Sequence, residues 1–111
     1  MNDRTLWAAA VTSHWALDIP LTAIAIERYG AREANPIADS AIQSLGTVPG
    51  LVSLHAVVFV TVAGIWWWSR ATPETARWSW VVPAIVALVG SAAAGHNLAR
   101  FIAHLGGVPG I

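Results

Sequence analysis

An acidic residue lies in the middle of a long apolar segment near the start of this 111-residue chain. The segment covers residues 7–26, and a helix of about 20 mostly apolar residues is long enough to cross a bilayer. A carboxylate at the centre of such a helix costs roughly 2.5–3.5 kcal/mol on insertion scales, so Asp18 is expected to face other helices or a water-filled cavity. The sequence therefore predicts a membrane protein with a polar interior.

Two further apolar segments and the composition support this interpretation. Hydrophobic residues make up 56% of the chain and charged residues 11%, whereas about 25% of an average soluble domain is charged. We predict a single all-α domain over residues 1–111, an integral membrane bundle with three transmembrane helices. The predicted spans cover residues 6–26, 51–68 and 80–105.

The segments between the spans are read from their capping and breaking residues. Asn35 and Pro36 are suited to the start of a helix, so a short interfacial helix is predicted over about 36–45. Residues 46–50 contain two glycines and a proline and are expected to break the chain before the second span. Pro83 is expected to kink the third span.

The tryptophans and arginines suggest an orientation. With three spans, most tryptophans fall on one membrane face, where they would form an interfacial belt. The arginine distribution favours a cytoplasmic N-terminus in a cell membrane, and the first predicted span, residues 6–26, is expected to be retained rather than cleaved as a signal peptide. The predicted interface anchors are Trp66, Trp67, Trp68, Trp78 and Trp80.

Polar residues within the spans can be placed by depth, because a helix rises about 1.5 Å per residue. On this scale Asp18 and His55 both lie roughly 16–18 Å from the tryptophan belt, whereas His14 lies about 10 Å and His96 roughly 25 Å from it. Asp18 is therefore expected to hydrogen-bond to His55 or Thr22 and to fix the helix register. The predicted polar cluster is Asp18, Thr22, Glu33, Asn35, His55, His96 and Asn97, with the loop residues folding back to cap the bundle.

Three other uses of this cluster stay open. His14, Asp18 and His55 could bind Zn or Fe with one coordination position open, although His14 and His96 are about 15 Å apart in depth and cannot share an ion. A haem could be held by His55 with His14 or by His55 with His96. A titrating Asp–His pair could also conduct protons or ions in a small transporter.

The sequence favours a non-enzymatic role, that of an accessory subunit of a membrane complex. The formal net charge of zero gives no basic surface for nucleic acid. The absence of cysteine excludes disulfides and thiolate metal sites, and no nucleophile or phosphate-binding motif is present. Small residues line one face of the third span and favour close helix packing. The expected partners are therefore the lipid bilayer and other membrane subunits or a second copy.

One motif resembles that of a known family. The pattern Asp18-x-x-x-Thr22 followed by Gly30-x-x-Glu33-x-Asn35-Pro36 resembles a family of small archaeal and bacterial integral membrane proteins with an uncharacterised domain. In that family some members carry a lysine about where His55 stands, and His96-Asn97 is similar to a polar pair in the last helix. The resemblance implies a helical membrane fold and supports the polar site, but it implies no particular reaction.

Overall fold

The computed structural model describes residues 2–106, and this part of the chain is helical with no β-strand. Three helical segments are long and apolar enough to cross a membrane. They are named here the first span (Asp3–Tyr29), the second span (Thr47–Ser69) and the third span (Pro73–Leu105). The predicted all-α fold with three helices of spanning length is confirmed for the described residues. The elements in order are α1 (Asp3–Val11), a π-helical segment (Thr12–Asp18), α2 (Ile19–Tyr29), α3 (Pro36–Leu45), α4 (Thr47–Ser69), α5 (Pro73–Ala76) and α6 (Val81–Leu105).

The first span is not a uniform α-helix. Its π-helical segment, Thr12–Asp18, ends two residues before Pro20. Proline has no N–H, and its ring clashes with the carbonyl of the residue four positions earlier, here Ala16. Helices relieve this conflict by local π-helical winding. Pro20 therefore gives a physical reason for the changed winding, which sets the directions of His14 and Asp18.

Capping residues define the connection between the first two spans. Gly30 ends α2 with a φ of 67°, a left-handed conformation that glycine adopts without steric cost. Asn35 begins α3, and its Oδ1 accepts hydrogen bonds from the N–H groups of Ile37 (2.9 Å) and Ala38 (3.4 Å). The predicted Asn35 cap and the helix over 36–45 are thus confirmed.

Helix α3 folds back against the start of α4. A Cβ atom at Gly50 would lie 2.7 Å from the Ala41 carbonyl oxygen, so only glycine permits this close approach. The predicted break over 46–50 is wrong in its extent. Within residues 46–50 only Gly46 lies outside a helix. Pro49 is accommodated in the first turn of α4, because a backbone N–H at this position would have no partner within the helix.

The third span begins with a capped turn. The Thr72 hydroxyl accepts a hydrogen bond from the Thr75 N–H, and α6 follows the short α5. Pro83 lies in the first turn of α6, and the kink expected there stays a prediction. The side chain of Pro83 is fully buried.

Two apolar clusters hold the spans together at different levels of the bundle. One contains Ala10, Val86 and Ala87, packed with Trp7, Phe59 and Val62. The other lies beside α3 and contains Ile19, Ala23, Ile42 and Leu51, packed with Trp15 and Ile26. The polar side chains of the site come from the same helices that form these clusters.

The tryptophans predicted as interface anchors differ in exposure. Trp67 and Trp68 are 76% and 71% exposed, and Trp78 and Trp80 are also exposed. Trp66 is half-buried, and its indole Nε1 donates a hydrogen bond to Asp3 Oδ2 at 2.7 Å. This part of the bundle is called the tryptophan end below. The belt itself stays a prediction.

Candidate functional site

Asp18 connects all three spans through its carboxylate. His55 Nε2 on the second span lies 3.2 Å from Asp18 Oδ2. Asn97 Nδ2 on the third span donates to Asp18 Oδ1 at 2.8 Å, and Thr22 Oγ1 donates to the same oxygen at 3.3 Å. The side chains of His55 and Asp18 are only 12% and 13% exposed. The carboxylate thus faces partners within the bundle.

The hydrogen-bond partners of His55 determine which of its two ring nitrogens carries a hydrogen. His55 Nδ1 lies 2.9 Å from the Leu51 carbonyl oxygen, and a carbonyl can only accept, so Nδ1 carries a hydrogen. In a neutral imidazole Nε2 then has a lone pair, and this lone pair faces a carboxylate oxygen. The contact with Asp18 is favourable only if an additional proton or a metal ion lies between the two atoms.

His14 presents a second nitrogen with a lone pair. The residue is buried, with 7% exposure, and its Nε2 lies 2.8 Å from the Val86 carbonyl oxygen. Nε2 therefore carries the hydrogen of a neutral ring. Nδ1 is buried and has no hydrogen-bond partner among the described residues. A buried polar atom without a partner is rare in proteins and costs roughly 1–3 kcal/mol.

Gly90 on the third span leaves the space that the His14 ring occupies. A Cβ atom there would lie 2.7 Å from His14 Nε2 and would also contact Ser13 Oγ. The His14 ring meets the rings of His55 and Phe59 edge to face, each at a centroid distance of 5.3 Å. The imidazole is thus held on three sides, with its Nε2 directed to the third span.

The three residues predicted as metal ligands converge. One ligand atom from each of His14, Asp18 and His55 lies within 4.8 Å of the other two. Two ligands bound at 2.0–2.1 Å to a tetrahedral ion are about 3.3 Å apart, and the 3.2 Å between His55 and Asp18 fits this separation. The ligand atom of His14 lies within 4.8 Å of the other two, so it would have to move closer to bind the same ion.

Each of these residues is oriented by a second group. The carbonyls of Leu51 and Val86 accept from His55 and His14, while Asn97 and Thr22 donate to Asp18. Metal-binding histidines almost always donate their other N–H to a carbonyl or carboxylate, which fixes the ring orientation. The same arrangement is present here for both histidines.

The ligands line a cavity of about 310 Å³. Every residue of the predicted polar cluster borders it, together with His14. Glu33 Oε1 accepts a hydrogen bond from the Asn35 N–H at 3.0 Å, which fixes the local turn of the loop. His96 lies on this wall as well but outside the three-residue group. The lining contains two carboxylates and three imidazoles and, within residues 2–106, no arginine.

The two haem pairings are not favoured by this geometry. The rings of His14 and His55 are in edge-to-face contact, which leaves no flat slot for a macrocycle between them. For a pairing of His55 with His96, both His55 nitrogens are engaged, by Leu51 and Asp18. A haem would need one of these contacts to break.

The sequence analysis did not predict the π-helical segment that carries His14 and Asp18. Pro20 inside the first span was the signal for it, since proline in a helix interior requires a local rearrangement. The sequence analysis also did not predict a second interhelical carboxylate cluster, in which Asp3 accepts hydrogen bonds from Trp66, Arg70 and Ser79. An acidic residue in the first turn of a helix is common and does not indicate partners on other helices.

Comparison with known proteins identifies the family. A family model described as Domain of unknown function (DUF5658) matches residues 9–103. The chain belongs to this family. All of the cavity-lining residues, from His14 to Asn97, lie within the matched part of this DUF5658 member. No curated protein and no solved structure matches the chain. The predicted kinship to an uncharacterised domain family is confirmed, whereas the archaeal and bacterial membership stays a prediction.

Proposed function

We propose that this DUF5658 chain is a small integral membrane protein that binds a divalent transition-metal ion, Zn²⁺ or Fe²⁺, at His14, Asp18 and His55. The observation that carries the proposal is that His14, one of the three converging residues, has a buried Nδ1 with no partner among the described residues. A metal ion would satisfy this nitrogen and would also replace the proton that the contact between His55 and Asp18 requires.

The donor set suits these ions. Imidazole and carboxylate are ligands of Zn²⁺, and two histidines with one carboxylate form the facial triad of non-haem Fe²⁺. Three protein ligands leave at least one coordination position for water or an exogenous ligand, and the adjoining cavity provides space for it. Such an open position is typical of catalytic metal sites rather than structural ones.

Proton or ion transfer is the second candidate function, because one specific observation favours it. When no metal is bound, a proton must be shared between His55 and Asp18 in a cavity that reaches the surface. A proton-coupled transporter would use this pair. The accessory-subunit role in a cell membrane, with the N-terminus in the cytoplasm, remains a proposal that no particular contact supports over the other two.

The metal proposal is tested on the full chain purified in a mild detergent and stripped with a chelator. We expect about one Zn²⁺ or Co²⁺ ion per chain, with visible Co²⁺ bands typical of a low-coordinate nitrogen and oxygen site. His55→Gln should weaken binding by at least about 100-fold, because loss of a second-sphere group alone costs 10–100-fold.

The matched control is His104→Gln. His104 is an exposed histidine near the end of α6, where its ring packs against Tyr29, and its loss should leave metal binding unchanged. Equal weakening in both variants, or no stoichiometric binding by the native chain, would contradict the proposal. Proton flux that persists in chelator and is abolished by Asp18→Asn would instead favour the second candidate.

A further inference from the structure

We infer that the metal ion reaches the site from one end of the bundle only, the end that carries α3, and that Glu33 and His96 are the first side chains to bind it. The inference rests on the proposed metal site and adds to it a direction and an outer pair of ligands. Neither Glu33 nor His96 belongs to the inner group of three.

The side of the site towards the tryptophan end is closed by apolar packing. Ala10 is completely buried, and it packs with Val86 and Ala87 against the partly buried Trp7 and Phe59. Val86 also provides the carbonyl oxygen that accepts from His14. The apolar cluster therefore begins directly beside the inner ligands. Moving a cation through this cluster would cost much free energy, because the ion would lose its water ligands and find no polar groups to replace them.

The opposite side is polar and contains space. The cavity extends from the inner ligands to Glu33, Asn35 and His96. A second cavity of about 120 Å³ shares four lining residues with it, among them Glu33 and His96. The two cavities thus meet at this pair of side chains, on the side of the bundle where the loop after α2 and the start of α3 lie.

The distribution of charge favours this pair as the outer ligands. Glu33 and His96 line both cavities; the smaller one is also bordered by Arg32 and Arg100, whereas the described lining of the larger one contains no arginine. A carboxylate and an imidazole are also the donor types of the inner site. An ion can therefore pass from Glu33 and His96 to Asp18 and His55 without changing its class of ligand.

The kinetic test compares the native chain with the double variant Glu33→Gln/His96→Gln. We expect the rate of Co²⁺ or Zn²⁺ binding, measured by stopped flow, to fall by about 10-fold or more, since charge at a cleft raises association rates by 10–10³. The equilibrium Co²⁺ spectrum should be unchanged, because the inner ligands are intact. The matched control is Glu27→Gln/His104→Gln, which changes the same residue types outside the cavity lining.

The direction of access is tested by cysteine labelling, for which the chain offers a background without native cysteine. In sealed vesicles, Ser40→Cys on α3 and Ala71→Cys at the tryptophan end mark the two sides. Ala93→Cys, in the cavity wall, should react with an impermeant thiol reagent from the side that labels position 40. Labelling from the side that labels position 71 would overturn the inference.

The outcomes separate the two proposals. A native chain that binds no metal overturns both. A native chain that binds metal through His55, with a double variant that binds it at the native rate, overturns only the role of Glu33 and His96.

Discussion

Two carboxylates of the first span, Asp3 and Asp18, each connect it to the other two spans, but with different chemistry. Asp3 Oδ2 accepts from the Trp66 indole, the Arg70 guanidinium and the Ser79 hydroxyl. All three donors carry their hydrogens in their ordinary protonation states. The Asp3 cluster is therefore complete without any further proton or ion.

The Asp18 cluster is not complete in this sense. Its contact with His55 requires a shared proton or an ion, and the neighbouring His14 Nδ1 has no partner among residues 2–106. Asp18 also borders a cavity inside the bundle. The Asp3 cluster lies nearer the surface, where its ionic partner Arg70 is half exposed. The comparison indicates that one carboxylate fastens the helices and that the other can also accept a ligand.

The largest expected effect comes from exchanging each carboxylate for its amide. Asp18→Asn should weaken Zn²⁺ binding by at least about 100-fold, more than a second-sphere loss, because a charged ligand is removed. Asp3→Asn should leave the affinity for Zn²⁺ unchanged and should lower the free energy of unfolding by about 1–2 kcal/mol through weaker hydrogen bonds. Zinc titration and denaturation in detergent measure the two quantities, and equal Zn²⁺ affinities for the two variants would erase the distinction.

Two glycines of the third span test how closely α6 packs against the Asp18 cluster. Gly90→Ala would place a methyl group against Ser13 and His14, and overpacking of this kind costs about 1–3 kcal/mol. Gly95→Ala is the control, because a Cβ atom at Gly95 meets no atom within 4 Å. Thermal unfolding of the two variants checks this difference. If Gly90→Ala proved as stable as Gly95→Ala, the close packing around His14 would be disproved.

The smallest expected effect concerns one hydroxyl in each cluster. Thr22→Val removes a donor to Asp18 and should weaken Zn²⁺ binding by about 10-fold, the lower bound for a second-sphere group. Ser79→Ala removes a donor to Asp3 and should leave the Zn²⁺ affinity at the native value. Competition with a chromophoric chelator resolves a change of this size. A greater loss of affinity in Ser79→Ala than in Thr22→Val would argue against a metal site at Asp18.

Much of the fold and the depth of the site could be predicted from the sequence. Hydropathy predicts the spans because lipid tolerates few charges, and the constant helical rise places Asp18 and His55 at one level. The direction of the His14 ring could not be predicted, because it depends on the π-helical winding before Pro20 and on the space at Gly90. The carbonyls of Leu51 and Val86 also have no side-chain signature, although they determine which imidazole nitrogens stay available.

The π-helical segment Thr12–Asp18 has a consequence for the two halves of the first span that flank it. A π-helical turn contains more residues than an α-helical turn, so the two flanking halves are out of phase with each other. Both halves contact α4 and α6: the half before Thr12 packs on α6 and meets α4 through Trp7, and the half after Asp18 packs on both helices. The change of phase thus directs different side chains of each half towards the same two helices, while the span remains one continuous rod.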